Sequence, residues 1–143
     1  MPLSDPVKGT FIDKYPLTDT ELKILMLIAS KVNKEDNLEE TTYKFGIQEV
    51  RQAINLPASE EYTDLAEITK KMISKYFMVK SEFSTVCLKW LTAASYDLQE
   101  KTVAFSILPE LKEVYNYIGQ KSEVSSNIEM NSKYAEISQI FEK

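Results

Sequence analysis

An α+β fold, with helices gathered against a small antiparallel sheet, is what this sequence predicts. Apolar residues recur at helical spacing in several separate stretches and alternate with period two in others. A polar connection of hairpin length, Asp97 to Lys101, joins two of the alternating stretches. At 143 residues the chain fits a single domain, 1–143, able to bury a core without metals or disulfides.

The totals exclude more than they select. Hydrophobic residues at 43% and charged residues at 27% are ordinary for a soluble globular chain. The longest apolar run, Ile24 to Ala29, is six residues, against the roughly 18 needed to span a bilayer. The N-terminus Met-Pro-Leu-Ser-Asp-Pro lacks the pattern of an export signal. With one cysteine, Cys87, no internal disulfide can form, which fits a reducing compartment and the expectation of a cytoplasmic protein. No histidine is present, which removes the commonest general base and the usual metal ligand. Three glycines and no glycine-rich phosphate motif leave a nucleotide cofactor without support. No catalytic, cofactor or metal residue is expected, and an enzyme is the least supported class.

Each element has its own signal. Thr18-Asp-Thr-Glu21 is a capping box, with Leu17 and Leu22 as a hydrophobic staple. Leu22, Leu25, Met26, Ala29 and Val32 then form the stripe of a first helix. Tyr43, Phe45 and Ile47 alternate as a short strand. Val50, Ala53 and Ile54 mark a second helix over 48–56, stopped near Pro57. Tyr62, Leu65, Ile68, Thr69, Met72, Ile73 and Tyr76 mark a third. Phe77 and Val79 open a long β stretch in which Val86, Leu88 and Trp90 share one face and Cys87, Lys89 and Leu91 the other. Val103, Phe105 and Ile107 resume the alternation beyond the hairpin turn. Pro109 suits the first turn of a fourth helix carrying Leu111, Val114, Tyr115 and Ile118, with a loop from Gly119 to Asn127. Ile128 and Met130 predict a brief strand, and Tyr134, Ile137, Ile140 and Phe141 a closing helix.

Helix, strand, helix, helix, strand, hairpin and strand is the order of a winged helix. Such a fold serves DNA binding, docking and dimerisation alike, so it does not decide function. Across nearly its whole length the chain resembles the Rep initiators of iteron-type plasmids, in their first winged-helix domain. The likeness rests on Leu17 to Val32, on Tyr62-Thr-Asp-Leu65 leading to Met72-Ile73, and on Trp90-Leu-Thr-Ala-Ala-Ser-Tyr96 with Val103-Ala-Phe105-Ser. Leu108-Pro-Glu-Leu111 and Ser132-Lys-Tyr134 with Ile137 and Ile140-Phe141 complete it. The resemblance implies a plasmid replication and copy-number control module, a homodimer, and a second winged helix, absent here, that reads the iterons. It implies origin DNA as a partner through the full-length protein, touched by this domain mainly at the backbone. Host replication proteins are further partners it allows, and a membrane is not among them.

The charge pattern bears on the DNA question. Net charge is −5, and the sole arginine is Arg51. The third helix, in the recognition position, begins with Glu60, Glu61, Asp64 and Glu67 and carries Lys70, Lys71 and Lys75 only later. Major-groove insertion would meet like charge at that acidic end. Lys70, Lys71 and Lys75, with Lys80 and Lys89, are therefore candidates for phosphate contact, against the plainer reading of solvated lysines. The turn Asp97 to Lys101, with two acids and one base, makes a poor minor-groove arm. Leu91, Tyr96, Tyr115 and Tyr117 are the candidates for a dimer interface. Trp90 reads as core, and Cys87 as a structural thiol with nothing to activate it. Glu39-Glu40 and Glu60-Glu61 read as solvated charge, since adjacent acids do not converge on one point. The competing class is a stand-alone transcription regulator that binds operator DNA through the third helix.

Overall fold

The first helix begins where its capping box puts it. Thr18 Oγ1 accepts from the Glu21 amide at 3.2 Å, and the Glu21 carboxylate accepts from the Thr18 amide at 2.8 Å. The helix that follows, α1, runs Asp19–Glu35, with Leu17 and Leu22 both buried at its start. The computed structural model describes residues 8–35, 39–59, 61–122, 137 and 139–142. Within them β1 (Thr10–Ile12) precedes α1. After it come β2 (Thr42–Gly46), α2 (Ile47–Ala53), α3 (Thr63–Ser74), β3 (Phe77–Lys80), β4 (Thr85–Leu88), β5 (Ala93–Asp97) and β6 (Thr102–Ser106). A 3-10 turn at Pro109–Leu111 then leads into α4 (Lys112–Ser122).

The predicted α+β winged helix is present as α1, β2, α2, α3 and the β5–β6 hairpin. Its sheet has the order β2-β6-β5, antiparallel throughout. Tyr43 lies opposite Phe105 and Phe45 opposite Val103, so period-two alternation places all four rings and side chains on the covered face. Ile47, expected to end the strand, instead starts α2, and Ala53, expected on its buried face, is exposed.

The long strand expected through Trp90 is two strands in two different sheets. β4 pairs with β3, which pairs with β1, in a second antiparallel sheet of order β1-β3-β4, whereas β5 belongs to the winged sheet. Between them Trp90 and Leu91 are 2% and 0% exposed. Two neighbouring buried side chains cannot both sit on one face of a strand, so the chain bends there to bury both. Thr92 fixes the exit, donating from its amide and its hydroxyl to the Ser106 carbonyl at 2.9 and 3.0 Å.

Trp90 is the centre of a ring cluster under the second sheet. Phe77 stacks on it at 4.5 Å, Tyr115 meets it edge-on at 5.8 Å and Phe141 at 5.9 Å. Phe11 stacks on Phe141 at 5.1 Å. The closing segment, helical at 137 and 139–141, is thereby held against β1, and the Gly9 amide donates to the Phe141 carbonyl at 2.7 Å.

The fourth helix continues three residues past Gly119, where the sequence predicts a loop. Gly119 is a contact glycine, not a stop. A Cβ there would lie 2.3 Å from the Ala29 carbonyl oxygen, so its absence lets α4 cross α1 backbone to backbone. The strand expected at Ile128 and Met130, and Tyr134 of the closing helix, lie outside the described residues.

Candidate functional site

The recognition position of the winged helix is α3, and its placement depends on the only guanidinium in the chain. Arg51 projects from α2 and is 3% exposed. It donates from Nε to the Pro57 carbonyl at 2.7 Å and from its two terminal nitrogens to both Asp64 oxygens, at 2.6 and 3.0 Å. One fork therefore ties α2, the connecting loop and the first turn of α3 together. The Arg51 guanidinium holds the Asp64 carboxyl below the usual carboxylate range. Committed in this way, Arg51 is not free to reach a guanine edge.

α3 turns Thr63, Asp64, Glu67, Lys70, Lys71 and Ser74 to solvent. Lys70 and Lys71 are exposed at its C-terminal half, as phosphate contact requires. Lys75, the third candidate on this helix, is placed otherwise. Its Nζ donates to Glu21 Oε1 and to the Pro16 carbonyl, and Glu21 is itself buried. That ion pair joins the end of α3 to the capping box of α1, so Lys75 is a structural tie. Lys80 and Lys89 are exposed, but they lie at the second sheet and not beside α3.

The wing is closed on itself by polar contacts. Asp97 Oδ1 accepts from the amides of Gln99 and Glu100 at 3.0 Å each, and Lys101 takes a φ of 58° at the end of the turn. Glu100 is paired with Lys44 of β2, and the Lys101 carbonyl accepts from the Ile47 amide at 2.9 Å. The wing is thus bound to the start of α2 and presents acids with its one lysine. A shallow hollow between Ile47, Gln48, Tyr62, Leu98 and Lys101 lies beside it.

Two of the four dimer candidates are inside the protein. Leu91 has no exposed surface because the chain bends at it. Tyr115 is fully buried in the stripe of α4, and its hydroxyl donates to the Trp90 carbonyl at 2.5 Å. Burial pushes the Tyr115 phenol far above its ordinary range. Tyr96 is half-buried, hydrogen-bonded to the Thr69 hydroxyl at 2.9 Å and ring to ring with Tyr62 at 5.5 Å. Tyr117 is half-buried on the core. Cys87, expected to be a structural thiol between apolar neighbours, is exposed on β4. Its inward neighbours are Val86 and Leu88, and alternation turns Cys87 away from them.

No group of three or more acidic or cysteine side chains that could hold a metal occurs among the described residues. No helix among them is long and apolar enough to cross a membrane. The Arg51 clamp escaped the sequence reading, since its partner lies thirteen positions away. The lone arginine in a short helix was its only signal.

Comparison with known proteins adds to this geometry. The family described as initiator replication protein, WH1, matches residues 10–137. Among solved structures the chain is similar to the WH1 domain of MSBI1.176, described as a replication protein isolated from a multiple sclerosis patient. The TM-score is 0.55 and the identity 17%, over 75% of this chain and 86% of that one. At that identity the likeness shows the fold. No curated protein matches the sequence.

Proposed function

The chain belongs to the initiator replication protein family, as its WH1 domain, and from this premise we propose that it works as the dimerisation and control half of a plasmid initiator. In this reading it touches origin DNA only at the backbone and leaves the iteron sequence to another part of the initiator. The carrying observation is the Arg51 clamp on Asp64. It takes the one guanidinium of the helix-turn-helix out of use and leaves Glu67, Lys70 and Lys71 as the exposed charges of α3 beside the clamped Asp64. Such a helix has the means to touch phosphates and brings no guanidinium fork to a guanine edge.

Pairing of two copies is supported by strand edges that are unpaired among the described residues. β4, at one edge of the second sheet, and β5, at one edge of the winged sheet, carry neither lysine nor proline to block strand addition. A dimer built on such an edge replaces the one expected through Leu91 and Tyr115. A binding module and not an enzyme, in a cytoplasmic setting where Cys87 stays reduced, belongs to the same proposal. Host replication proteins are its further partners.

The family match favours this reading over a stand-alone operator-binding regulator. Titration with random and origin duplexes at low salt tests it. The expected result is weak, salt-steep binding that does not distinguish the two sequences. Tight, sequence-selective binding by this domain alone would favour the regulator. Sedimentation at micromolar concentration is expected to show a dimer, and a monomer throughout would remove the dimerisation half of the proposal.

A further inference from the structure

The outer face of the β1-β3-β4 sheet is used by nothing described above. The register sets its composition. Alternation sends Phe11, Phe77, Val79 and Leu88 inward to the ring cluster, so Ile12, Met78 and Cys87, which lie side by side across the three strands, face outward. One step along, Tyr76 extends β3 opposite Lys89, and Tyr15 folds over from the end of β1. The two tyrosine rings are 50% and 37% exposed for Tyr15 and Tyr76, with centroids 5.3 Å apart and planes tilted by 53°. Lys14, the residue before Tyr15, and Lys89, the residue after β4, are both exposed, and Lys80 stands further along β3.

Two of the acids of this face lie away from the tyrosines. Glu82 and Glu142 gather with Lys80 at the far end, by the β3–β4 turn. Asp13 stands beside Tyr15, where its Oδ1 accepts from the Tyr15 amide at 3.2 Å, and it is half-buried with its other oxygen turned into the protein. In a chain of net charge −5, the tyrosine end of this sheet thus exposes two lysines against one half-buried acid, with aromatic faces between them. A duplex has no exposed base faces for such rings, and a purely acidic surface would leave them unused. A single strand offers both parts, phosphates for the lysines and bases for the rings.

We propose that the outer face of this second sheet, centred on Tyr15 and Tyr76 together with Lys14 and Lys89, binds single-stranded nucleic acid. This goes beyond the reading of the domain as a dimerising module, and it places strand binding on the sheet added to the winged helix, away from α3 and the wing. Base identity is not read, because among the described residues no carboxamide or guanidinium is placed at the patch and stacking is tolerant of sequence.

The test is a titration of the whole chain with a fluorescent oligothymidylate of about 12 nucleotides, within the range one small domain covers, followed by anisotropy at low salt. The single strand is expected to bind more tightly than a duplex of the same length. Joint replacement Tyr15→Ala and Tyr76→Ala is expected to weaken it about tenfold or more, whereas Tyr76→Phe keeps the stacking face and retains binding. Lys14→Glu with Lys89→Glu is expected to weaken binding and flatten its salt dependence, while Lys70→Glu with Lys71→Glu on α3 leaves it unchanged. The unaltered protein gives an independent readout, since Cys87 is its only cysteine and lies on this face. Saturating oligonucleotide is expected to slow its alkylation by N-ethylmaleimide. Absence of binding, preference for duplex, or binding that survives loss of both rings with the melting curve intact would overturn the proposal. So would Cys87 protection that follows protein concentration instead of oligonucleotide, which would make this face a contact between copies. Strand binding by a protein that sediments as a monomer would separate this inference from the dimer reading.

Discussion

The β2-β6-β5 sheet and the β1-β3-β4 sheet each have three antiparallel strands, but they are stabilised by different means. The winged sheet packs under α1 and α3, and its surroundings are rich in polar ties: Arg51 to Asp64, Thr69 to Tyr96, Lys44 to Glu100. The second sheet is held almost wholly by rings, with Phe11, Phe77, Trp90 and Phe141 in mutual contact, and the Trp90 Nε1 has no acceptor among the described residues. Polar side chains near the winged sheet are engaged in holding helices in place. Those on the outside of the second sheet have no such task, so its lysines and tyrosines are available to a ligand.

Truncating a ring on each side breaks the comparison most forcefully. Phe77 and Phe105 are both buried, and each change to Ala is expected to destabilise by about 3 to 5 kcal/mol. That is a large part of a total of about 5 to 15 kcal/mol for a domain. All the buried apolar residues form one cluster, so one transition is expected in both variants, with Trp90 fluorescence and far-ultraviolet dichroism coincident in urea. An earlier fluorescence transition in Phe77→Ala alone would show that the ring-stabilised sheet melts separately.

What the sequence displayed of this arrangement was its local part. Thr18 and Glu21 bond to each other within one turn, and Val103, Phe105 and Ile107 alternate within one strand, so both were readable from neighbours alone. The break at Trp90 and Leu91 was not, because period two says which face a residue takes and nothing about which sheet its strand joins. Lys75 read as a phosphate contact until Glu21, 54 positions earlier, came to meet it. Tyr115 carried two conflicting signals, a place in the stripe of α4 and a phenol suited to an interface, and burial settled it in favour of the stripe. Tyr15 and Tyr76 come together only because β1 and β3 are paired. The order of the elements supplied the winged helix, and the second sheet required coordinates.

A pH titration sharpens the comparison, because the two sides respond to opposite extremes. Asp64, with its pKa lowered mainly by the hydrogen bonds from Arg51, contributes stability above its unfolded value of about 4. That contribution is lost as pH falls through the lowered folded value. Asp13, raised by burial, acts in the opposite sense, so the informative quantity is the difference between the unaltered protein and Asp64→Asn. The variant is expected to be less stable at neutral pH and to approach the unaltered protein in acid. On the ring side Tyr115, raised by burial, contributes fully below its unfolded value of about 10 and loses that contribution as pH rises beyond it. Tyr115→Phe is expected to cost about 1 kcal/mol near neutrality, for the bond to the Trp90 carbonyl, and to flatten the alkaline limb. An unchanged alkaline limb would place the sensitivity in another phenol.

The smallest expected effect probes whether polar ties hold the winged side together as proposed. Tyr96 is an edge-strand residue whose hydroxyl reaches Thr69 in the middle of α3, the one side-chain hydrogen bond between this helix and the hairpin among the described residues. Removing it by Tyr96→Phe leaves the ring against Tyr62 and is expected to cost about 0.5 to 1 kcal/mol, less than the Tyr115 change because Tyr96 is only half-buried. Thr69→Val leaves the Tyr96 hydroxyl intact beside a buried methyl. If the bond is the whole of the interaction, the double variant is no worse than the more damaging single one, and a thermodynamic cycle gives a coupling of about the same size. Additive losses would mean that α3 is positioned by its apolar face and the Arg51 clamp, and that the hairpin is free to move relative to it. Arg51 would then be the main polar tie of the winged side, where the other side relies on its packed rings.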